Sequence, residues 1–338
     1  MGSNIKDVAK LANVSISTVS RVINNAPNIN PETKKRVQDA IEKLNFKPNR
    51  LAQSLGSGSF RSIGIVSARS SNQGFVPLIL QSISEVADEG NYEIILNNSV
   101  GEKKEIEKCL SMIDSKVIQG LLLLSSRIND NLIEKLYELD FPFVVLGKVV
   151  NEFLSDKVFS VDTDNLSDCE EAINYLVSLG HKRIGCIHAP LNYVVSKERL
   201  EGYIEAHKKA GIPVDYSLVE NGGYSINEAY EATLKILKTE NPPTAIFATD
   251  DIKAIGAYKA ILELGLRIPE NISLIGHNNY DISQITVPPL TTIDVPILEL
   301  GRVATRKLID IIEGKRPPIR TILDTRFIIR ESCRKLNA

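Results

Sequence analysis

The spacing of apolar positions changes character near residue 60. Before that point it is helical. Ile5, Val8, Leu11 and Ala12 share one face of a helix predicted over 5–11. Asn13-Val14-Ser15 then interrupts the pattern, and Ser15 is placed to cap a second helix running to about Asn24. That helix turns Val19, Val22 and Ile23 inward and leaves Ile16, Ser17, Ser20 and Arg21 outside. A third helix opens at Asn30-Pro31, cap and first helical position, with Val37, Ala40, Ile41 and Leu44 as its stripe. Beyond residue 61, short apolar runs alternate with amphipathic stretches. Segments 62–66, 92–96, 120–124, 143–146, 183–187, 245–248 and 273–276 read as strands, and 78–88, 103–113 and 168–179 as helices. This alternation predicts parallel, doubly wound sheets covered by helices, and roughly 275 residues accommodate two such lobes.

Composition agrees with a folded chain of two or three domains: 338 residues, 43% hydrophobic and 24% charged. No apolar run reaches membrane-spanning length, and the N-terminus lacks a basic-then-apolar signal pattern. Cys109, Cys169, Cys186 and Cys333 lie far apart with no metal-type spacing, so reduced thiols in a cytoplasmic protein are expected. The net charge of −2 hides an asymmetry. Residues 1–60 carry nine Lys/Arg against four Asp/Glu, whereas the remainder carries 31 against 38. A small basic module on a larger acidic body is the footprint of a chain that meets phosphate at one end.

Two short helices across a tight turn, braced by a third, form a helix-turn-helix. Its recognition helix needs small or polar side chains near its N-terminus so that the backbone approaches base edges. Ile16-Ser17-Thr18 and Arg21 meet that need, whereas a generic three-helix bundle usually exposes Glu and Lys there. The run from Ile5 to Ser15 (IKDVAKLANVS) and the run from Ser17 to Asn24 (STVSRVIN) resemble the signature of the lactose/galactose repressor family of bacterial transcription regulators. Asn13 replaces that signature's usual Gly and also tolerates a left-handed turn. The resemblance implies DNA contacts from Ser15, Ile16, Ser17, Thr18, Ser20, Arg21 and Asn24.

Lys47-Pro48-Asn49-Arg50-Leu51-Ala52-Gln53-Ser54-Leu55 follows, then Gly56-Ser57-Gly58-Ser59. Composition alone reads as a helix end and a flexible linker. The resemblance implies a hinge helix in the minor groove that begins at Pro48-Asn49, with Asn49, Ala52 and Leu55 as DNA-binding positions, Ala52 small enough to approach the backbone or the partner hinge and Leu55 wedged between base steps. Gln53 stands where the family often has Arg.

The resemblance extends from residue 4 to about 334. It is carried by Leu179-Gly180-His181-Lys182-Arg183-Ile184, Arg199-Leu200-Glu201-Gly202-Tyr203, Thr249-Asp250-Asp251, Pro289-Leu290-Thr291-Thr292-Ile293 and Ile329-Arg330-Glu331-Ser332. It implies a small all-α helix-turn-helix domain (1–47) joined by a hinge helix and linker (48–60) to an α/β body of two doubly wound parallel-sheet lobes. The first lobe is expected over 61–161 with 291–323, the second over 162–290 with 324–338. An effector would then sit beyond the carboxyl ends of the strands. Arg199 and Asp251 align with the family's effector-binding arginine and aspartate, the one a planar fork and the other an acceptor for vicinal hydroxyls. Lys148, Asp164 and Tyr224 fall at strand ends or loops facing the same cleft, and Phe75 matches the family's Phe after the first strand. Asn278 replaces the usual Asp and Gly74 the usual Phe, which together point to a pocket altered for another, larger effector.

No nucleophile elbow, phosphate-cradling loop, Cys-x-x-Cys or metal-spaced histidine pair occurs, so neither an enzyme nor a cofactor is expected. The expected function is a homodimeric repressor of carbohydrate-utilisation genes on an inverted-repeat operator, with a sugar such as maltose as effector. A corepressor such as a purine or a phosphoprotein is the alternative within the family. A solute-binding receptor of a transporter would share the two-lobed body, but not the basic helix-turn-helix.

Overall fold

A computed structural model of the protein describes residues 4–23, 26, 29–46, 61–67 and 74–336. They form two compact units, Met1–Arg61 and Ser62–Ala338.

The first unit contains α1 (Ile5–Ala12), α2 (Ile16–Ile23) and α3 (Pro31–Lys43). Asn4 and Asp7 close a capping box on α1, and Asn13, at φ 51°, ends that helix in the left-handed conformation the sequence anticipated. The Ser15 hydroxyl accepts from the amide of Thr18 at 3.2 Å and so opens α2. Asn30 caps α3 through the amide of Glu32 at 2.8 Å. Val8, Ala12, Val19, Val22, Val37 and Ala40 make the core. Leu11 departs from expectation: it is 44% exposed while Ala9 is buried. Positions 5, 8, 9 and 12 already fill the inward face at i, i+3, i+4 and i+7, which leaves residue 11 beside it. Asn24 and the hinge positions Asn49, Ala52 and Leu55 lie outside the described residues.

The second unit holds two parallel sheets. The first contains β1 (Ser62–Val66), β2 (Glu93–Asn97), β3 (Gly120–Leu123), β4 (Phe143–Leu146), β5 (Ser160–Asp162) and β11 (Arg320–Ile322), in the order β11-β5-β4-β3-β1-β2. The second contains β6 (Ile184–His188), β7 (Val219–Asn221), β8 (Ala245–Ala248) and β9 (Ser273–Ile275), in the order β7-β6-β8-β9. Every residue of β1, β3, β4, β6 and β8 is buried, as central strands covered by helices on both faces must be. The chain passes between the sheets after β5, again at β10 (Thr292–Asp294), and last at β12 (Arg326–Ile328), which pairs antiparallel with β10. The two-lobed, doubly wound architecture is therefore the one the alternation predicted. Strands β5, β7 and β10–β12, three residues each, were too short to show a period.

Two details hold the lobes in shape. The helices Asn165–Ser178 and Val194–Lys209 touch at Gly202, where a Cβ would lie 2.4 Å from the carbonyl oxygen of Leu166. In the first lobe the buried Lys307 donates to the Ser160 carbonyl and the Thr321 hydroxyl, both at 2.8 Å, tying β5 to β11. Burial without a carboxylate partner pushes its pKa down to about 8.

Candidate functional site

The first unit displays a compact polar surface. Ser15, Ile16, Ser17 and Arg21 are exposed at the start and along the outer face of α2, while Thr18 and Ser20 are half-buried. The Ser15 hydroxyl lies 2.7 Å from that of Ser17 and 2.8 Å from that of Thr18, so the N-terminal turn of α2 carries three linked hydroxyls. Only short side chains stand between its backbone and whatever approaches.

In the second unit a cavity of about 120 Å³ lies between the sheets, at the carboxyl ends of their strands. Ser125 after β3, Gly147 after β4, Asp162 at the end of β5, Thr249 and Asp250 after β8, and Asn278 after β9 all border it. Arg199 organises the polar wall. Its guanidinium donates through Nε to Oδ1 of Asn165 (2.9 Å), through Nη1 to the Thr249 carbonyl (2.5 Å) and through Nη2 to Oδ1 of Asn278 (3.2 Å). Phe75 and Tyr224 supply aromatic surface, and the buried Tyr224 hydroxyl has no hydrogen-bond partner among the described residues. Asp162 also faces the cavity, and desolvation pushes its pKa up to about 7, against a backbone hydrogen bond at Thr163.

The lobes also touch each other beside the cavity. Val194 N donates to the Ser126 carbonyl (3.1 Å) and Ile128 N to the Asn192 carbonyl (3.2 Å), and the guanidinium of Arg127 stands 5.7 Å from the Tyr193 ring centroid. Arg127 is itself fixed by a two-pronged pairing with the buried Glu105, at 2.9 and 3.0 Å. The Lys148 ammonium adds an ion pair to Glu198 at 2.7 Å.

Residues 4–49 match the family of bacterial regulatory proteins named for lacI, and residues 173–333 match the periplasmic binding protein-like domain. Across 99% of its length the chain is 33% identical to the transcriptional repressor CytR of Escherichia coli K12, covering 97% of that protein. The chain belongs to the lacI family. A second relative is the repressor PurR of Aliivibrio salmonicida, 32% identical over 99% of this chain and 100% of its own. Among solved structures, the Lac repressor dimer bound to operator and the anti-inducer ONPF superposes with a TM-score of 0.86. It is 25% identical over 99% of this chain and 100% of that one. The complex of the regulator CelR with cellobiose gives 0.74 at 29% identity, over 98% and 99%. This lacI-family protein is thus a DNA-binding transcriptional repressor with an effector domain, and not an enzyme.

The cavity of this lacI-family protein brings together Arg199, Asn278, Tyr224 and Phe75 from the residues named on sequence grounds. It does not bring in the other three. Asp251 is wholly buried: its carboxylate accepts from the Thr292 hydroxyl and from the amide of Tyr280, both at 2.7 Å, while Asp250 takes the place beside the cavity. Asp164 is exposed and caps the helix Asn165–Ser178 through the amide of Ser167, so its carboxylate is turned away. Lys148 points along the outer seam to Glu198 and latches the lobes instead of lining the cavity.

Asp162, Asn165 and Asp250 were missed. Asp162 ends a three-residue strand with no period to mark it. Asn165 and Asp250 sit at helix starts, where Asn and Asp ordinarily signal nothing beyond a cap. Among the described residues no cluster of His, Cys, Asp or Glu is arranged to hold a metal ion, and no helix is long and apolar enough to cross a membrane.

Proposed function

We propose that this protein is a cytoplasmic, homodimeric repressor that reads an inverted-repeat operator through α2 and is released by a small uncharged polyhydroxylated molecule, a sugar of one ring, held in the interlobe cavity. The observation that carries the reading is the cavity wall. A guanidinium held in place by the amides of Asn165 and Asn278, together with the carboxyl of Asp162, offers donors and acceptors, and Phe75 and Tyr224 in the same lining offer flat apolar surface. Vicinal hydroxyls on an apolar ring face match that division. The relative solved with cellobiose and a further lacI-family regulator from Enterococcus faecium solved with ribose support the sugar class.

Size narrows it. At roughly 10–15 Å³ of such space per water-sized group, a cavity of about 120 Å³ takes a single sugar ring more readily than a disaccharide such as maltose. Selection of operators from random DNA, followed by titration of pentoses, hexoses and maltose into the protein–DNA complex, tests both halves of the proposal. Release by maltose but by no single-ring sugar would reject the size argument. Release by none would reject the sugar class.

Two further outcomes follow from the named side chains. Arg21→Ala should lower affinity for the selected operator by about 10- to 100-fold, the worth of one two-pronged base contact, and change binding to random DNA far less. Competition gel shifts read the ratio. Effector affinity should rise as pH increases through about 7, because the ionised carboxylate of Asp162 accepts ligand hydroxyls and the protonated form accepts fewer. Calorimetric titrations at about pH 7 and about pH 8, repeated with Asp162→Asn, should show a slope in the parent that is much smaller in the variant.

A further inference from the structure

Next to Asn278, two buried groups face each other with neither satisfied. His277 is 0% exposed, and Asp168, in the first turn of the helix Asn165–Ser178, is 5% exposed. Nε2 of His277 lies 3.9 Å from Oδ2 of Asp168, and both atoms lack a hydrogen-bond partner among the described residues. Their opposite ends are engaged. The Thr325 hydroxyl donates to Oδ1 of Asp168, and Nδ1 of His277 lies 3.1 Å from Oδ1 of Asn278.

That last contact determines where the imidazole carries hydrogen. Arg199 can only donate, and it donates to Oδ1 of Asn278 (3.2 Å), while Nδ2 of Asn278 donates to the Tyr280 hydroxyl (2.8 Å). The Asn278 oxygen is therefore an acceptor, and Nδ1 of His277 must hold a hydrogen. A neutral imidazole of that tautomer turns a bare lone pair at Nε2 toward the carboxylate. Two buried acceptors in such an arrangement need one hydrogen between them. An imidazolium would also supply it, but complete burial and the nearby Arg199 charge hold His277 well below its ordinary pKa. For Asp168 desolvation dominates and raises the pKa to about 6. Asp164 and Glu171 act in the same sense, and Thr325 and Arg199 oppose it.

We propose that Asp168 and His277 share one buried proton, carried on the Asp168 carboxyl and directed at Nε2 across a gap that closes from 3.9 Å to hydrogen-bond length, which satisfies the tautomer that Asn278 imposes and so steadies Asn278 at the cavity wall. Asp168 and His277 are thus positioning residues: neither borders the cavity, and both act through Asn278. A pH-dependent geometry of Asn278 would make the effector site sensitive to mild acid. That consequence rests on the effector reading above, whereas the shared proton does not.

The full-length protein tests it without any ligand. Infrared difference spectra between about pH 5 and about pH 8 should show the carbonyl band of a protonated, buried carboxyl, absent in Asp168→Asn. Nitrogen-15 spectra should place the hydrogen of His277 on Nδ1 alone. Asp168→Asn aims a permanent N–H at Nε2, so its Tm should gain on the parent's as pH rises from about 4 to about 6, between the unfolded and folded pKa of the parent's carboxyl, and the difference should level off above that. The sign follows from a folded pKa raised above the unfolded one: the parent is favoured while protonated and loses that advantage as pH rises. An imidazolium in the nitrogen spectra, no carboxyl band, or a Tm difference independent of pH would each overturn the proposal. The last is the result expected of a water donating to both atoms. The two spectroscopic readouts on the parent protein need no variant to fold.

Discussion

Arg199→Ala should give a repressor that stays on its operator whatever effector is added. Three acceptors converge on the guanidinium, from Asn165, Thr249 and Asn278. They belong to a helix start, the end of β8 and the end of β9, so the side chain clamps three segments of the second lobe at the cavity. On the proposed effector reading, removing it deletes a fixed donor to the ligand and frees the wall built around it. A loss of effector affinity of about 100-fold or more is expected, the scale of a charge-assisted hydrogen bond together with the desolvated groups left behind. The same stranded acceptors should lower stability by about 2–4 kcal/mol, read from urea unfolding. Operator affinity without effector should survive, because the DNA-reading residues belong to a separate compact unit. Arg199→Lys separates the two effects: it keeps the charge and part of the stability but cannot span three acceptors. If the alanine variant still releases operator at the parent's effector concentration, Arg199 is no part of the effector site.

How far the sequence carried the reading varies along the chain. Continuous apolar runs bounded by polar residues were readable: β1, β4 and β8 occupy the residues expected of them, and the caps at Ser15 and Asn30 stand where their hydroxyl and amide chemistry placed them. Short elements were not. A three-residue strand such as β5 has no alternation to display, yet it delivers Asp162 to the cavity. The site was half-legible for a related reason. Arg199 lies on the helix Val194–Lys209 and Asn278 in the loop just after β9, and both reach the cavity. Lys148 has a long stem, and its direction depends on Glu198, fifty positions away in sequence. Motif position places a residue on an element but does not say which way its side chain turns.

The pair Asp250-Asp251 shows that limit most sharply, and Asp251→Ala should expose it. Both residues begin the same helix, and either could be read as the acceptor for ligand hydroxyls. Asp250 uses one oxygen on the amide of Lys253 (2.8 Å), pairs the other with the Lys253 ammonium, and borders the cavity. Asp251 turns the other way. It binds Thr292 on β10 and the amide of Tyr280, and its own amide donates to the His277 carbonyl (2.9 Å), so it joins the end of β8 to the loop after β9 and to the crossing segment. Gly276 leaves room for this: a Cβ there would stand 2.2 Å from Oδ1 of Asp251. Asp251→Ala strands two buried donors and opens a void, so it should destabilise the second unit by about 3 kcal/mol near pH 5. Burial raises the Asp251 pKa to about 7, so the parent is favoured with this carboxyl protonated and loses that advantage as pH rises through 7. The destabilisation should therefore shrink between about pH 4 and about pH 7 and level off above, which urea titrations from about pH 4 to about pH 8 would follow. An effector contact would behave in the opposite manner: Asp251→Ala would leave the unfolding midpoint unchanged and abolish ligand release. That result would return Asp251 to the cavity and overturn the structural role.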